Sequence, residues 1–221
     1  MNGEPNYVYI VLSATPYRMG RWIRRATGEA YNHVSIATEE SLTTLYSFAR
    51  RYYRTPFHGG FVTETPDRYH HKGLSSHIRL YRLPVARHRY RKLLDELEQM
   101  QSHSSHYLYN HLSVLAAPAH KKVAVKDAYT CAEFVVSILS SLGYGFDPEQ
   151  YYSVGDIARP LEDYCIYEGD FPAQGLGDPE FFQRHPVNHP ALVSARGLLQ
   201  LCWRLAVSNF LDSRIRKDFV R

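Results

Sequence analysis

The segment Tyr129–Gly143, YTCAEFVVSILSSLG, contains both the start and the end of a helix. Thr130 can accept a hydrogen bond from a first-turn N–H group, and Glu133, three residues later, completes the capping-box pattern. Apolar residues then continue to Gly143, a residue type that commonly ends helices. The segment therefore predicts a buried helix that begins at Cys131.

The rest of the chain alternates between segments typical of strands and segments typical of helices. Strands are predicted at Tyr7–Ser13, Asn32–Thr38, Leu42–Ala49, His77–Leu83 and Cys165–Tyr167, and helices at Tyr17–Ala26, Arg87–Gln101, Gly155–Leu161 and from Ala191 to about Phe210. Residues 54–76 contain three Gly and two Pro, which predicts a long loop.

These elements predict an α+β fold, in which a mostly antiparallel sheet of about five strands packs against the Cys131 helix. We expect the main domain to cover residues 1–171. Residues 172–221 form a C-terminal extension with one accessory helix.

The composition is that of a globular protein. Of 221 residues, 44% are hydrophobic and 22% are charged, which excludes collagen-like, coiled-coil and low-complexity chains. The apolar stretch Tyr7–Ala14 is too short to span a bilayer and lacks the features of a signal peptide, so we expect a cytoplasmic protein without a transmembrane segment. The three cysteines are too few and too scattered for a disulfide scaffold or a thiolate metal cage.

Positive charge is concentrated in the first part of the chain. Residues 1–92 carry 15 Lys and Arg against 6 Asp and Glu, whereas residues 93–221 carry 11 against 16. Such asymmetry favours an anionic partner such as a phospholipid or a cell-wall polymer. Arginines also alternate with aromatic residues within 87–92, but no nucleic-acid-binding motif is present, so no specific nucleic acid is expected.

Four of these positive charges lie in the predicted helix Tyr17–Ala26. They are Arg18, Arg21, Arg24 and Arg25. Together with Trp22 they could contact lipid head groups or an anionic peptide. We expect instead that Trp22 packs inward and that the arginines form a solvated face.

Cys131 is the strongest candidate for a catalytic residue. A thiol at the first position of a capped helix faces unpaired N–H groups and the positive end of the helix dipole, which favours the thiolate. A thiol nucleophile also needs a base, usually an imidazole. Among 12 histidines, His33 lies inside a predicted strand, where a sheet can hold it against the helix. We therefore predict a Cys131–His33 dyad, with inert packing of Cys131 as the alternative.

Two short blocks carry a resemblance to a known family. YNHVSIA (Tyr31–Ala37) and YTCAEFVVSIL (Tyr129–Leu139) resemble the circularly permuted branch of the NlpC-type, papain-like cysteine hydrolases, which includes YiiX-like bacterial proteins and lecithin:retinol acyltransferase-like enzymes. The resemblance spans roughly Tyr7–Phe171 in the order of elements. It implies a permuted papain-like fold with His33 as general base and Cys131 as nucleophile. It also implies a third polar residue on the next strand, which orients the imidazole.

The hairpin that follows His33 offers two candidates for this third residue. A three-residue turn places Ser47 opposite His33, whereas a two-residue turn places Tyr46 there. Both depart from the His, Asn or acidic residue common in the family. A hydroxyl orients an imidazole without stabilising its cation as well as a carboxylate does.

The predicted activity is cysteine-dependent hydrolysis or acyl transfer at an amide, isopeptide or ester bond, through an acyl-enzyme intermediate. The substrate class stays open among peptides, cell-wall fragments and acyl lipids, and no metal or organic cofactor is implied. His103, His106 and His111 lie close in sequence, but no Cys, Asp or Glu nearby completes a zinc site. The alternative function is a non-catalytic binding module on the same scaffold, which recognises an anionic polymer or a membrane surface.

Overall fold

The computed structural model describes residues 6–172, 177, 178, 182 and 186–218, without the side chains of residue 26 and residues 209–218. Its strands are β1 (Asn6–Ala14), β2 (His33–Ala37), β3 (Leu45–Arg50), β4 (Gly59–Glu64), β5 (His70–His71), β6 (Leu74–Ser75), β7 (His77–Val85), β8 (Leu108–Tyr109), β9 (Ala128–Tyr129) and β10 (Cys165–Asp170). Its α-helices are α1 (Arg18–Thr27), α2 (Arg87–Ser102), α3 (His111–Ala116), α4 (Cys131–Leu142), α5 (Val154–Ala158) and α6 (Pro190–Asp218).

Six of the strands form one sheet in the order β10-β7-β1-β2-β3-β4, and every neighbouring pair is antiparallel. The α+β class, the largely antiparallel sheet and the C-terminal helix are thus confirmed, although the sheet has one strand more than expected. In β1, every residue from Val8 to Leu12 is buried, because both faces of the sheet are covered.

Different elements cover the two faces of the sheet. On one face, Ile36 and Phe48 belong to the same buried cluster as Phe134 and Val135 of α4. On the other face, Val11, Leu45 and Ile78 lie with Tyr69 and Phe171 in a second cluster. Because α4 packs on β2 and β3, the strand that contains His33 lies under the helix that contains Cys131.

The ends of α4 follow the predicted capping signals. Thr130 Oγ1 accepts a hydrogen bond from the Glu133 N–H at 3.1 Å, and Glu133 Oε2 accepts one from the Thr130 N–H at 2.7 Å. Gly143 ends the helix in the left-handed conformation, with φ of 90°. The capping box therefore makes Cys131 the first residue of the helix.

The predicted loop over residues 54–76 is wrong in part, because it contains β4 and the small hairpin of β5 and β6. The chain at residues 107–109 crosses directly over the start of β4. A Cβ atom at Gly60 would lie 2.2 Å from the Tyr107 carbonyl oxygen, and one at Gly59 would lie 2.8 Å from the Tyr109 Cβ. In the sequence these two glycines favour a loop. In the structure glycine is required at both positions because residues 107–109 pass too close to leave room for a Cβ atom.

The C-terminal helix α6 begins at Pro190, one residue before its predicted start, and extends beyond the predicted end to Asp218. Its Leu201 is fully buried in a small cluster with Leu108, Val125 and Ala128. In the described ranges, no helix combines the length and the apolar character needed to cross a membrane.

Candidate active site

The structure brings His33 and Cys131 together. His33 is the first residue of β2, where it pairs with Ser13 of β1, and Cys131 is the first residue of α4. The Cys131 thiol lies close enough to the His33 imidazole to raise its pKa. The His33 side chain is 13% exposed and Cys131 is 6% exposed. A thiol and an imidazole thus meet at a largely enclosed position.

A buried carboxylate lies on the other side of the imidazole. Glu64, the last residue of β4, places Oε2 at 3.1 Å from His33 Nε2, and its side chain is fully buried. Arg68 Nε lies 2.9 Å from Glu64 Oε1, and the Tyr69 hydroxyl donates a hydrogen bond to Oε2 at 2.7 Å. Because Nε2 faces Glu64, Nδ1 is the nitrogen left to exchange a proton with the thiol.

Tyr69 fixes the position of this carboxylate. Its ring stacks on Phe171 with centroids 4.3 Å apart, and its hydroxyl oxygen lies 2.8 Å from Ser35 Oγ. Burial and the neighbouring Glu64 raise the pKa of Tyr69 well above its ordinary value. The phenol therefore stays protonated and donates to Glu64, and Ser35 donates to the phenol oxygen.

Charge interactions determine the protonation states of His33 and Glu64. Burial lowers the pKa of His33, but the Glu64 carboxylate and the Cys131 thiol outweigh burial and raise the pKa to about 10. Burial raises the pKa of Glu64, but His33 and Arg68 outweigh it and hold the pKa at about 2. At neutral pH the site therefore contains an imidazolium ion bound to a carboxylate.

The pair predicts a pH dependence of stability. Because the pKa of His33 is raised from 6.5 to about 10, its contribution is complete below about pH 6.5 and is lost as the pH rises toward 10. Because the pKa of Glu64 is lowered, its contribution is present above about pH 4.5 and is lost as the pH falls toward 2. We expect the free energy of unfolding to fall by up to about 1.4 kcal/mol per pH unit above pH 7. Urea unfolding across this range measures the slope, and equal slopes for the parent and His33→Gln would contradict the assignment.

The observed hairpin register differs from both registers predicted for it. Tyr46 of β3 lies opposite Ile36, not opposite His33. The connection is longer than expected, because β3 begins at Leu45 instead of Leu42. Leu42 itself has φ of 52°, a left-handed conformation that belongs to the turn and not to a strand.

Ser47 and Tyr46 therefore do not supply the third residue. Ser47 is fully buried, and its hydroxyl has no hydrogen-bond partner among the described residues. The Tyr46 ring stacks with Phe61 at a centroid distance of 6.2 Å. Glu64 contacts His33 instead, and the sequence does not indicate this because the glycines and prolines of residues 54–76 predict a loop there.

A tyrosine hydroxyl also reaches the thiol. Tyr109 of β8 lies beside Tyr129 of β9 in a short parallel ladder, and the Asn110 N–H donates to the Tyr129 carbonyl at 3.0 Å. This ladder holds Tyr109 next to the chain that enters α4, where its hydroxyl lies close enough to Cys131 for the two groups to affect each other's charge. Burial first, and then Cys131 and Glu133, raise the pKa of Tyr109 well above its ordinary value. Tyr109 is therefore a neutral O–H donor, and no local sequence signal identifies it.

The start of α4 supplies further donors. The capping box uses the N–H groups of Thr130 and Glu133. The first-turn N–H groups that the box does not use are those of Cys131 and Ala132, at the positive end of the helix dipole. Together with the Tyr109 hydroxyl, they provide an environment suited to negative charge beside the thiol.

A thiol, an imidazole and a carboxylate thus follow one another in a connected row. Comparison with protein-family models, with curated proteins and with solved structures finds no match to this chain. The functional argument therefore depends on the chemistry of the site itself.

A basic groove of about 610 Å³ lies beside α1, and we call it the α1 groove. Its lining includes Arg18, Arg21, Trp22, Arg25, Arg50 and Tyr53. Trp22 is 68% exposed, so the prediction that it packs inward is wrong. Arg24 is not part of this surface, because its Nη1 donates to the Thr15 carbonyl oxygen at 3.0 Å and to Asn32 Oδ1. Three of the four arginines in the predicted helix Tyr17–Ala26 therefore line the groove.

The remaining candidates lie apart from this row. Cys165 is partly buried in β10 and Cys202 is exposed on α6. His106 Nε2 lies 3.0 Å from Asp127 Oδ2, whereas His103 contacts the Gln99 carbonyl. Across the described ranges, no group of three His, Cys, Asp or Glu side chains has the arrangement of a metal site.

Proposed function

We propose that this protein is a cysteine-dependent hydrolase or acyltransferase that acts on an amide, isopeptide or ester bond. The single observation that carries the proposal is the row Cys131–His33–Glu64, in which a buried carboxylate lies 3.1 Å from the imidazole that contacts the thiol. A third group that orients the base is what distinguishes an activated thiol from a buried inert one. The chain order, with the His strand before the Cys helix, supports a permuted papain-like scaffold.

The geometry supports a two-step mechanism. His33 holds the proton of the thiol as an imidazolium ion, and the Cys131 thiolate sulfur attacks the carbonyl carbon to form a C–S bond and an oxyanion. Collapse of this intermediate breaks the bond to the leaving group, which receives the proton from the imidazolium. Water or an acceptor nucleophile then attacks the thioester with His33 as base, which releases the acyl product and restores the thiol.

Each neighbouring group has a role in these steps. Glu64 keeps the imidazole oriented and stabilises its cation while the proton is held. The Tyr109 hydroxyl and the N–H groups at the start of α4 stabilise the negative charge of the oxyanion.

The proposal predicts a burst with an activated ester. On mixing with p-nitrophenyl acetate, we expect release of about one equivalent of p-nitrophenolate per protein before slower turnover. Peptide mass spectrometry should then locate the acetyl group on Cys131. The burst should disappear in Cys131→Ala, and the Cys202→Ala variant should retain it, because Cys202 lies on α6 outside the row.

An equal burst in the parent and in Cys131→Ala would contradict the proposal. In that case, retention of Cys131→Ala on heparin or on anionic vesicles would favour the binding module, with the arginines of the α1 groove as the contact surface.

A further inference from the structure

Arg50, the last residue of β3, is the cation that joins the α1 groove to the thiol. It lines the groove and is partly buried, whereas Arg18, Arg21 and Arg25 are exposed. On its inner side, Arg50 pairs with Gly59 of β4, and a Cβ atom at Gly59 would lie 2.8 Å from the Tyr109 Cβ. Arg50 is therefore close to Tyr109, whose hydroxyl lies near Cys131. One side chain thus separates the guanidinium from the nucleophile.

Arg50 has no ion-pair partner among the described residues. Glu64 is shared by His33 and Arg68, whose nitrogens lie 3.1 Å and 2.9 Å from its oxygens. Once the thiol proton is on His33, the thiolate and Glu64 balance His33 and Arg68. The Glu133 carboxylate near Tyr109 caps α4, where its Oε2 accepts from the Thr130 N–H. Among the described residues, no carboxylate lies within ion-pair distance of Arg50.

We propose, building on the function proposed above, that Arg50 binds a carboxylate of the substrate close to the carbonyl that Cys131 attacks. Even a partly buried cation is costly without an anionic partner, so a carboxylate that arrives with the substrate is favoured at this point. The exposed arginines of the α1 groove attract the anion, and Arg50 holds it. The substrate class is therefore an acyl compound with a carboxylate near the reacting carbonyl.

The donors of Arg50 that no described residue uses favour a carboxylate as the ligand. Its Nη1 donates to the Tyr53 carbonyl oxygen at 3.0 Å, and its guanidinium lies over the rings of Tyr53 and Phe182, each centroid 5.6 Å away. No described residue accepts a hydrogen bond from Nε or Nη2 of Arg50. These two nitrogens form one edge of the guanidinium plane, which matches the two oxygens of a carboxylate.

Paired alkylating reagents test this proposal. Iodoacetate and iodoacetamide react by the same step, in which the thiolate sulfur displaces iodide and forms a thioether. They differ in that iodoacetate carries a carboxylate on the carbon that is attacked. At each cysteine, the iodoacetate rate divided by the iodoacetamide rate measures the preference for a carboxylate. We expect this ratio at Cys131 to be at least about fivefold higher than at Cys202 in the same sample. We also expect the ratio at Cys131 to fall with added salt.

Variants assign this preference to Arg50. Arg50→Gln should lower the ratio at Cys131 by about fivefold, because the His33 imidazolium stays and only the guanidinium charge is lost. Arg50→Lys should retain most of the preference, and Arg91→Ala, an exposed arginine on α2, should leave it unchanged. If Arg50→Gln does not fold, the double variant Arg18→Ala/Arg25→Ala tests the groove through exposed residues, with an expected decrease of about twofold.

The outcomes separate this inference from the proposed function. Rapid reaction of Cys131 with iodoacetamide, combined with a ratio equal to that of Cys202 and unaffected by Arg50→Gln, overturns the inference and leaves the hydrolase proposal intact. A Cys131 that reacts no faster with iodoacetamide than Cys202 overturns both.

Discussion

Glu64→Ala is expected to lower the free energy of unfolding by about 3–5 kcal/mol, because it leaves the buried cations His33 and Arg68 without their anion. The loss exceeds that of a typical surface ion pair, since the Glu64 side chain is fully enclosed and also accepts a hydrogen bond from Tyr69. Urea unfolding at about pH 6, where the contribution of the pair is complete, measures the difference.

Glu162→Ala is the matched control. Glu162 forms an ion pair with Arg79 at the same kind of distance, 3.0 Å, but its side chain is 56% exposed. Solvent screening limits the expected loss there to less than about 1 kcal/mol. Equal losses for the two variants would show that Glu64 is not the centre of a buried charge network.

His33→Ala is expected to slow the alkylation of Cys131 by iodoacetamide by about 100-fold at about pH 7, because the thiol then has no base to accept its proton. Mass spectrometry of each cysteine peptide over time gives the three rates in one sample. Glu64→Gln should slow the same reaction less, since it retains the imidazole but weakens its hold on the proton.

This measurement has two controls. The rate at the exposed Cys202 should not change in His33→Ala, and His106→Ala should leave the Cys131 rate at its parent value, since His106 is 60% exposed and pairs with Asp127. A Cys131 rate that is unaltered by loss of His33 would remove the chemical basis of the dyad.

Local signals account for the parts of the fold that the sequence predicts well. Three examples are the capping box at Thr130, the apolar period of α2 and the apolar run of β1. In each of them, the residues that form the signal are only a few positions apart in the chain. Such signals predict a single element without reference to the rest of the molecule. They also predict Cys131 at a helix start and His33 in a strand, which is why the two central residues of the candidate site were found from sequence.

The missed parts depend on contacts between distant segments. Gly59 and Gly60 look like loop residues until the crossing segment at 107–109 explains them, and without β4 there is no reason to consider Glu64. Tyr109 reaches Cys131 only through the pairing of β8 with β9. The predicted hairpin registers are wrong because Leu42 adopts a left-handed turn conformation, which its residue type does not indicate.

The order of the elements along the chain also sets the order in which the site can assemble during synthesis. His33, Glu64, Arg68 and Tyr69 all precede β7, whereas Cys131 follows it. A domain generally folds as a unit during synthesis. The base and its carboxylate are thus translated before the sulfur, and until α4 packs on the sheet Cys131 is an ordinary cysteine instead of an activated one.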